Sequence, residues 1–275
     1  MKERPETVSF IITSRCNNDC PHCFVRKGFN DMDPNKLNST FDLFEKNGVK
    51  GVLLTGGEPL LRKDFEEIVQ DLKARKMKIY LDTNCDYFSK HAEFITNNID
   101  TIGLPIDFPN DSYRNKNNLG KVVSALEYMK SKEIRPKIRI GTTVTKDNFK
   151  ILNNIGALIK NYPVDIWKIY EFVPMGDNAS KNQEKMQITD IEFTEATKNL
   201  VTDYKKYFDV VISKRKDRSS AYFMVNPDGS ICMPIDNSQR CEALIFGNIT
   251  DEDISKKWKN LVAYEEYIEN IKNTF

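Results

Sequence analysis

Short apolar runs alternate along this chain with longer segments in which apolar residues recur every three or four positions. The first pattern is typical of strands buried in a sheet, and the second of helices that cover a sheet. Six strands are predicted, at Val8–Thr13, Gly51–Thr55, Met77–Thr83, Thr101–Ile106, Lys137–Val144 and Ile166–Val173. Five helices are predicted between them, at Asp33–Asn47, Asp64–Arg75, Phe88–Asn97, Leu119–Ser131 and Phe149–Ile159. Asp64 is predicted to be the N-cap of the second helix.

Regular alternation of strand and helix predicts a parallel sheet with crossover helices. Six such units are fewer than the eight of a closed barrel. We therefore predict an α/β fold in which residues 1–176 form an open, partial (β/α)6 barrel. Residues 177–275 are predicted to form a C-terminal α/β-hairpin extension packed on that barrel.

Within this extension the strand–helix rhythm is lost. Asp177–Gln187 is polar without clear periodicity and is predicted to be a loop or lid, whereas Asp190–Tyr207 is predicted to be helical. Asn226–Gly229 lies between two apolar runs, which predicts a β-hairpin turn.

The amino-acid composition of the chain bears on whether it binds nucleic acids or membranes. The 275 residues include 41 basic and 40 acidic side chains, for a formal net charge of +1, so no nucleic-acid partner is expected. There is no stretch of about 18 apolar residues and no apolar signal core, so we expect a cytoplasmic protein without membrane contact.

Three of the six cysteines lie in one short run, Cys-Asn-Asn-Asp-Cys-Pro-His-Cys, at Cys16, Cys20 and Cys23. Thiolates that are clustered in this way are ligands for an iron–sulfur cluster. Three thiolates would leave one iron of a [4Fe–4S] cube open to a small molecule. The alternatives are cysteines kept for packing or a structural zinc site, which usually takes four ligands from paired elements.

The C-x3-C-x2-C spacing resembles the signature of the radical S-adenosylmethionine (SAM) enzymes. This resemblance implies a [4Fe–4S] cluster bound by the three cysteines, with the amine and carboxylate of SAM on the remaining iron. It implies that one electron, from a donor such as flavodoxin or ferredoxin, splits SAM into methionine and a 5′-deoxyadenosyl radical. The radical would then abstract a hydrogen atom from a small-molecule substrate.

A second motif, Gly56-Gly57-Glu58-Pro59, directly follows the second predicted strand. Ligands of parallel α/β folds bind beyond the carboxyl ends of strands, and two glycines let the backbone approach a ligand closely. In the family that this chain resembles, the glutamate accepts a hydrogen bond from the methionyl amine of SAM. Both motifs together favour a radical SAM enzyme.

The resemblance implies further SAM-binding positions at the ends of other strands. They are His22 near the adenine, Thr83 and Asn84 near the ribose or carboxylate, Asp107 after the fourth strand, Thr142 beneath the adenine and Tyr170 at the adenine edge. The structural alternatives are a loop cap for His22 and strand-end capping for Thr83 and Asn84. Cys85 stands where the family often has glycine, and is predicted to be a small buried side chain.

The substrate is indicated by two weaker resemblances. Trp167-Lys168-Ile-Tyr170 resembles a segment of the viperin-like group, which acts on nucleoside triphosphates, and implies that Lys168 and Arg114 contact the triphosphate. The run from Asn226 through Cys232 resembles the start of the auxiliary-cluster (SPASM or twitch) extension of peptide- and sugar-modifying enzymes. Only Cys232 and Cys241 are present there, so we predict the scaffold without a second cluster.

A nucleotide substrate, with a viperin-like dehydration, is therefore favoured over a peptide or sugar. A third hypothesis is a SAM-binding protein without turnover. The intact cysteine triplet and Glu58 argue against it.

Overall fold

The computed structural model describes residues 5–110, 118–236 and 241–272. The strands in these residues are β1 (Thr7–Thr13), β2 (Gly51–Gly56), β3 (Lys78–Asp82), β4 (Thr101–Pro105), β5 (Lys137–Val144), β6 (Ile166–Glu171), β7 (Asp209–Ser213), β8 (Met224–Val225), β9 (Ser230–Asp236) and β10 (Cys241–Asn248).

The helices are α1 (Pro34–Lys46), α2 (Phe65–Ala74), α3 (Phe88–Asn98), α4 (Asn118–Lys130), α5 (Leu152–Ile159), α6 (Asp177–Lys181), α7 (Gln183–Met186), α8 (Asp190–Thr197), α9 (Leu200–Tyr204), α10 (Ile254–Leu261) and α11 (Tyr264–Lys272). None of the helices in the described parts of the chain is long and apolar enough to cross a membrane.

The chain divides into two compact units. The first contains the described residues of 1–17, 25–82 and 216–275, and the second those of 18–24 and 83–215. The second unit includes residues on both sides of the predicted boundary at residue 176, and that boundary stays a prediction.

The strands of the first unit are ordered β10-β9-β8-β1-β2-β3. β8, β1, β2 and β3 run parallel, whereas β9 is antiparallel to both β8 and β10. Phe10 of β1 is buried against the edges of Phe41 and Phe44 on α1, with ring centroids 6.2 and 5.9 Å away. The hydroxyl of Tyr267 also fixes the start of β1. It donates a hydrogen bond to the Thr7 carbonyl and accepts one from the Thr7 N–H.

The second unit contributes four parallel strands in the order β4-β5-β6-β7. Trp167 of β6 is fully buried and packs edge-on against Tyr204, the last residue of α9, and against Phe208, which lies between α9 and β7. Its indole N–H donates to the hydroxyl of Thr142 on β5 at 2.9 Å. This contact fixes which face of β5 and β6 is covered by the C-terminal helices of the unit.

All six predicted strands and all five predicted helices are present, with ends that shift by a few residues. The α/β class with a parallel sheet is therefore confirmed. The hairpin turn at Asn226–Gly229 is confirmed too, because Gly229 adopts φ +88° and donates to the Asn226 carbonyl.

Three local predictions are wrong. Asp177–Gln187 is not a loop but contains α6 and α7, because Ala179 and Met186 bury their side chains against Phe172. The predicted helix Asp190–Tyr207 is interrupted between α8 and α9, and the strand β7 that follows was not predicted. Asp64 occupies the predicted N-cap position of α2, but its side chain does not cap the helix.

Candidate functional site

The cysteine run follows β1 directly and leaves its thiols accessible. Cys16 is exposed, and Cys20 and Cys23 are half-buried. The Cys23 N–H donates to the Cys20 carbonyl at 3.1 Å, a turn that keeps these two residues close together. The division between the two compact units falls inside this run, so Cys16 belongs to the first unit and the other two cysteines to the second.

The donor set of this run suits an iron–sulfur cluster. Within residues 5–110, 118–236 and 241–272, no group of three His, Cys, Asp or Glu side chains is positioned to hold a single metal ion. A [4Fe–4S] cluster is instead bound by thiolates that each take a different iron atom. The fit rests on the three thiols, their accessibility and their spacing within eight residues of chain.

The Gly-Gly-Glu-Pro turn lies against the backbone that leads into the cysteine run. The N–H groups of Gly57 and Glu58 donate to the carbonyls of Thr13 and Arg15, each at 2.8 Å. A Cβ atom on Gly57 would lie 2.1 Å from the Arg15 carbonyl oxygen, so no side chain fits there. Gly56 has φ +149° and is equally close to Thr13. The two glycines thus set the path of the chain one residue before Cys16.

Glu58 is fully buried at the start of a 3₁₀ turn that covers Pro59–Leu61. Its Oε1 accepts from the Leu60 N–H at 3.0 Å, which caps the turn. An ionised carboxylate has two oxygens with about four acceptor positions in total. The Glu58 carboxylate is an acceptor group of the kind that an ammonium ligand requires.

Arg62, which the sequence analysis did not single out, connects a residue before the cysteine run with a residue after it. Its guanidinium is buried and donates to the carbonyls of Ile12 and Met32, at 2.9 and 3.1 Å. It also forms a bidentate pair with Asp64, at 2.9 and 2.6 Å. Burial raises the pKa of Asp64, but hydrogen bonding and the charge of Arg62 outweigh it and lower the pKa overall. The signal available in the sequence was weak, because Arg62 is followed directly by Lys63 and Asp64 and reads as part of an exposed charged run.

His22 and Asp107 lie side by side in the second unit. His22 Nε2 is 3.7 Å from Asp107 Oδ2, and both side chains are nearly inaccessible to solvent. The other carboxylate oxygen of Asp107 accepts from the Thr143 N–H at 2.8 Å. The end of β4 is thereby connected to the cysteine run on one side and to β5 on the other.

Thr83 and Asn84 shape the turn that follows β3. The Thr83 hydroxyl accepts from the Cys85 N–H at 3.2 Å, and Asn84 Oδ1 accepts from the Asp86 N–H at 2.9 Å. Cys85 is buried and has φ +70°, a conformation that favours glycine. The backbone geometry of the glycine expected at this position is therefore kept.

The predicted positions on β5 and β6 lie on opposite faces. Thr142 is fully buried, and its hydroxyl donates to the Ile106 carbonyl and accepts from Trp167. Tyr170 lies on the other face, which it shares with Lys168, whose Nζ is 5.3 Å from the Tyr170 ring centroid. The side chains of Thr142 and Tyr170 therefore cannot line one site. Thr143, which is in register with Tyr170, is the β5 residue next to Tyr170 on that face.

Lys168 is buried to 1% exposure, and its side chain lies on the face of β6 opposite Trp167. The other residue predicted to contact a triphosphate, Arg114, lies outside the described residues.

Residues 10–153, about half of the chain, match the family described as the radical SAM superfamily. The chain belongs to this family, and it is a radical SAM enzyme. The family uses a [4Fe–4S] cluster and SAM.

Two curated relatives illustrate the range of named activities. The chain is 25% identical to a "Probable GTP 3′,8-cyclase" of Methanococcus maripaludis, over 84% of this chain and 77% of the relative. It is 23% identical to an "AdoMet-dependent heme synthase" of Oleidesulfovibrio alaskensis, over 72% of this chain and 53% of the relative.

Among solved structures, the fold is similar to that of SuiB from Streptococcus suis, crystallised with S-adenosylmethionine. The TM-score is 0.71, with 15% sequence identity, 99% of this chain covered and 68% of SuiB covered. This likeness concerns the fold.

Replacing Cys232 by alanine is expected to leave the iron content of the reconstituted protein unchanged. Burial raises the pKa of the Cys232 thiol to about 11, so the side chain is protonated at neutral pH and is a poor metal ligand. Its sulfur lies 3.6 Å from the Asn226 amide nitrogen, inside the β8–β9 hairpin. Iron analysis per chain, with the wild type alongside, measures this directly. A loss of iron in C232A would instead indicate an auxiliary cluster.

Proposed function

We propose that the substrate of this radical SAM enzyme is a nucleoside triphosphate whose phosphates are bound by Lys168. The observation that carries the proposal is the position of this lysine, buried in the middle of β6 beside Tyr170. In the low dielectric of a protein interior, an ammonium group attracts an anionic ligand more strongly than it does in water. A triphosphate is a small molecule that carries several negative charges.

The same face of the sheet carries a second buried cation. Arg139 of β5 is 3% exposed and, by strand alternation, points to the side of Thr143 and Lys168. Gly141 follows on the same face of β5 and is in register with Lys168, and a Cβ atom added to it would lie 3.4 Å from the Tyr170 ring. Two buried cations on one face of the sheet favour an extended anion over a neutral substrate.

The activity named for a sequence relative also supports a nucleotide as the substrate. The relative in Methanococcus maripaludis is aligned over most of both chains and is named for GTP. The resemblance of Trp167-Lys168 to the viperin-like group supports the same class of substrate.

When bound, the cluster and SAM supply a 5′-deoxyadenosyl radical that takes one hydrogen atom from the substrate. In this proposal Cys16, Cys20 and Cys23 hold the cluster, and Glu58 accepts from the methionyl amine of SAM. The remaining positions assigned to SAM are His22, Gly56, Gly57, Pro59, Thr83, Asn84, Asp107 and Tyr170. Thr142 contributes only through its backbone, because its hydroxyl is engaged on the opposite face. The electron is expected from a flavodoxin or a ferredoxin.

The test is anaerobic reconstitution with iron and sulfide, reduction with dithionite, and detection of 5′-deoxyadenosine with each nucleoside triphosphate in turn. We expect strong stimulation by one nucleotide. Mass spectrometry of the product then separates a dehydration, which removes one water from the triphosphate, from a ring closure, which gives an isomer of it.

Two other outcomes would contradict the proposal. A slow release of 5′-deoxyadenosine that no nucleotide stimulates would overturn the nucleotide substrate and direct the search to peptides or sugars. No release from a fully loaded cluster would overturn catalysis itself and favour a SAM-binding protein without turnover.

Lys168→Met is expected to raise the KM for the stimulating nucleotide by about 10- to 100-fold, the range for losing a hydrogen bond to a charged group. Methionine keeps most of the buried apolar volume, so folding is expected to persist. SAM cleavage without nucleotide is expected to remain at the wild-type rate. The matched control is Lys132→Met, an exposed lysine of the same unit whose Nζ lies 4.4 Å from the Tyr128 ring centroid. An unchanged KM in K168M would remove Lys168 from the substrate site.

A further inference from the structure

The short helix α6, which follows β6, and its C-cap residue Asn182 donate hydrogen bonds to the backbone of the cysteine run at three places. Asn178 Nδ2 donates to the Cys20 carbonyl at 3.1 Å, and Asn182 Nδ2 donates to the Pro21 carbonyl at 3.3 Å. The Ala179 N–H donates to the Cys23 carbonyl at 3.3 Å. These donors therefore engage the carbonyls of both half-buried cysteines.

Asn178 makes an additional contact to a charged side chain of the run. The same amide nitrogen donates to Asp19 Oδ1 at 2.8 Å. One side-chain amide thus connects the residue before Cys20 with the carbonyl of Cys20 itself. The Asp19 carboxylate and the Cys20 carbonyl are both hydrogen-bond acceptors. Bonding to both of them requires a side chain with two N–H donors, which the Asn178 amide supplies.

The approach of α6 to the run is fixed by Gly176. This glycine has φ +84°, and a Cβ atom there would lie 2.2 Å from the Phe24 carbonyl oxygen. The other side of the helix is anchored by Ala179, which is fully buried against Phe172. The helix therefore has little freedom to move away from the residues that it contacts.

We propose that Asn178 is a positioning residue for the iron–sulfur cluster, acting through the backbone of Cys20 and through Asp19. It fixes the segment that carries two of the three thiolates, so that they present one geometry to the cluster. This role concerns the cysteine run and is independent of the substrate, so it holds for a nucleotide, a peptide or a sugar.

The sharpest variant is Asn178→Asp, which keeps the shape of the side chain and removes both N–H donors. A carboxylate would face the Cys20 carbonyl and the Asp19 carboxylate, so two attractive contacts become repulsive. The added negative charge next to the cluster opposes the gain of an electron, so the midpoint potential is expected to fall. Loss of two hydrogen bonds is expected to make cluster loss to an iron chelator about tenfold faster.

The matched control is Asn161→Asp in the same unit. Asn161 Nδ2 also donates to two backbone carbonyls, those of Ala157 and Leu158, at the end of α5. It is exposed and is not in the cysteine run. We expect N161D to keep the wild-type rate of cluster loss and the wild-type potential.

The experiment compares wild type, N178D, N178A and N161D after anaerobic reconstitution, without SAM or substrate. Decay of the cluster absorbance in an iron chelator gives the rate of loss, and a potentiometric titration followed by electron paramagnetic resonance gives the potential. Thermal unfolding of the iron-free proteins reports folding separately. N178A removes the donors without adding charge, so it is expected to lose the cluster faster with a smaller change in potential.

Three results would overturn the proposal. One is a wild-type rate and potential in both N178D and N178A. Another is faster cluster loss that is matched by an equal loss of thermal stability in the iron-free protein with no change in potential, because that pattern describes a purely structural residue. A wild type that holds no iron would overturn the cluster assignment together with this role.

Discussion

Replacement of Cys20 by alanine is expected to abolish the iron–sulfur absorbance near about 400 nm and all SAM cleavage. Only three thiols are available in the cysteine run, and removing one leaves two on a cluster that needs all three. The Cys20 backbone would still accept from Asn178, so the polypeptide is expected to fold. Iron and sulfide analysis after anaerobic reconstitution measures the loss.

Cys232→Ala provides the control, because it removes a buried thiol that is not in the run. C232A is expected to bind as much iron as the wild type under the same reconstitution. Full iron content in C20A would show that other ligands hold the metal and would refute the three-cysteine assignment.

Gly57→Ala is expected to lower the free energy of unfolding by more than about 2 kcal/mol and to abolish SAM binding. The added methyl carbon would lie 2.1 Å from the Arg15 carbonyl oxygen, and backbone atoms cannot rotate away as a side chain would. The segment before Cys16 or the Gly-Gly-Glu-Pro turn must shift. Urea unfolding of the iron-free protein gives the stability, and equilibrium dialysis of the reconstituted protein gives SAM binding.

Gly48→Ala separates steric overlap from the general cost of replacing a glycine. Gly48 has φ +77°, but nothing lies within 4 Å of a Cβ atom added there. Its replacement is therefore expected to cost only about 1 kcal/mol through backbone strain. A G57A protein that is as stable as G48A and binds SAM normally would contradict the tight approach of the two segments.

The local pattern of apolar and polar residues was sufficient to predict most of the strands and helices. Continuous apolar runs such as Gly51–Thr55 and helical periodicity such as that of Asp64–Arg75 depend on residues close together in sequence. These signals were clear enough to place the strands and helices through residue 173. The β7 run Asp209–Ser213 is only five residues long, and such a run does not by its period distinguish a strand from a buried helical segment.

The interaction partners of polar residues could not be predicted in the same way. Asp64 was expected to cap α2, but its carboxylate pairs with Arg62, which in turn reaches the carbonyls of Ile12 and Met32. The segment 177–187 has no periodicity, and its helices form because residues on them bury against Phe172. Arg62 is oriented by carbonyl groups 50 and 30 positions away, and α6 and α7 depend on the burial of individual side chains. Neither is visible in the local sequence pattern.

By itself, the sequence determined the order of strands and helices, the thiol donors of Cys16, Cys20 and Cys23, and the Gly-Gly-Glu-Pro turn, because spacing and period are local properties. Only the tertiary structure decided which face each side chain occupies and what it contacts. The alternation of β5 was evident, but the bond from Trp167 to Thr142 was needed to place Thr142 opposite Tyr170. Asn178 and Asp19 are 159 positions apart, and their contact exists only because folding brings α6 to the cysteine run.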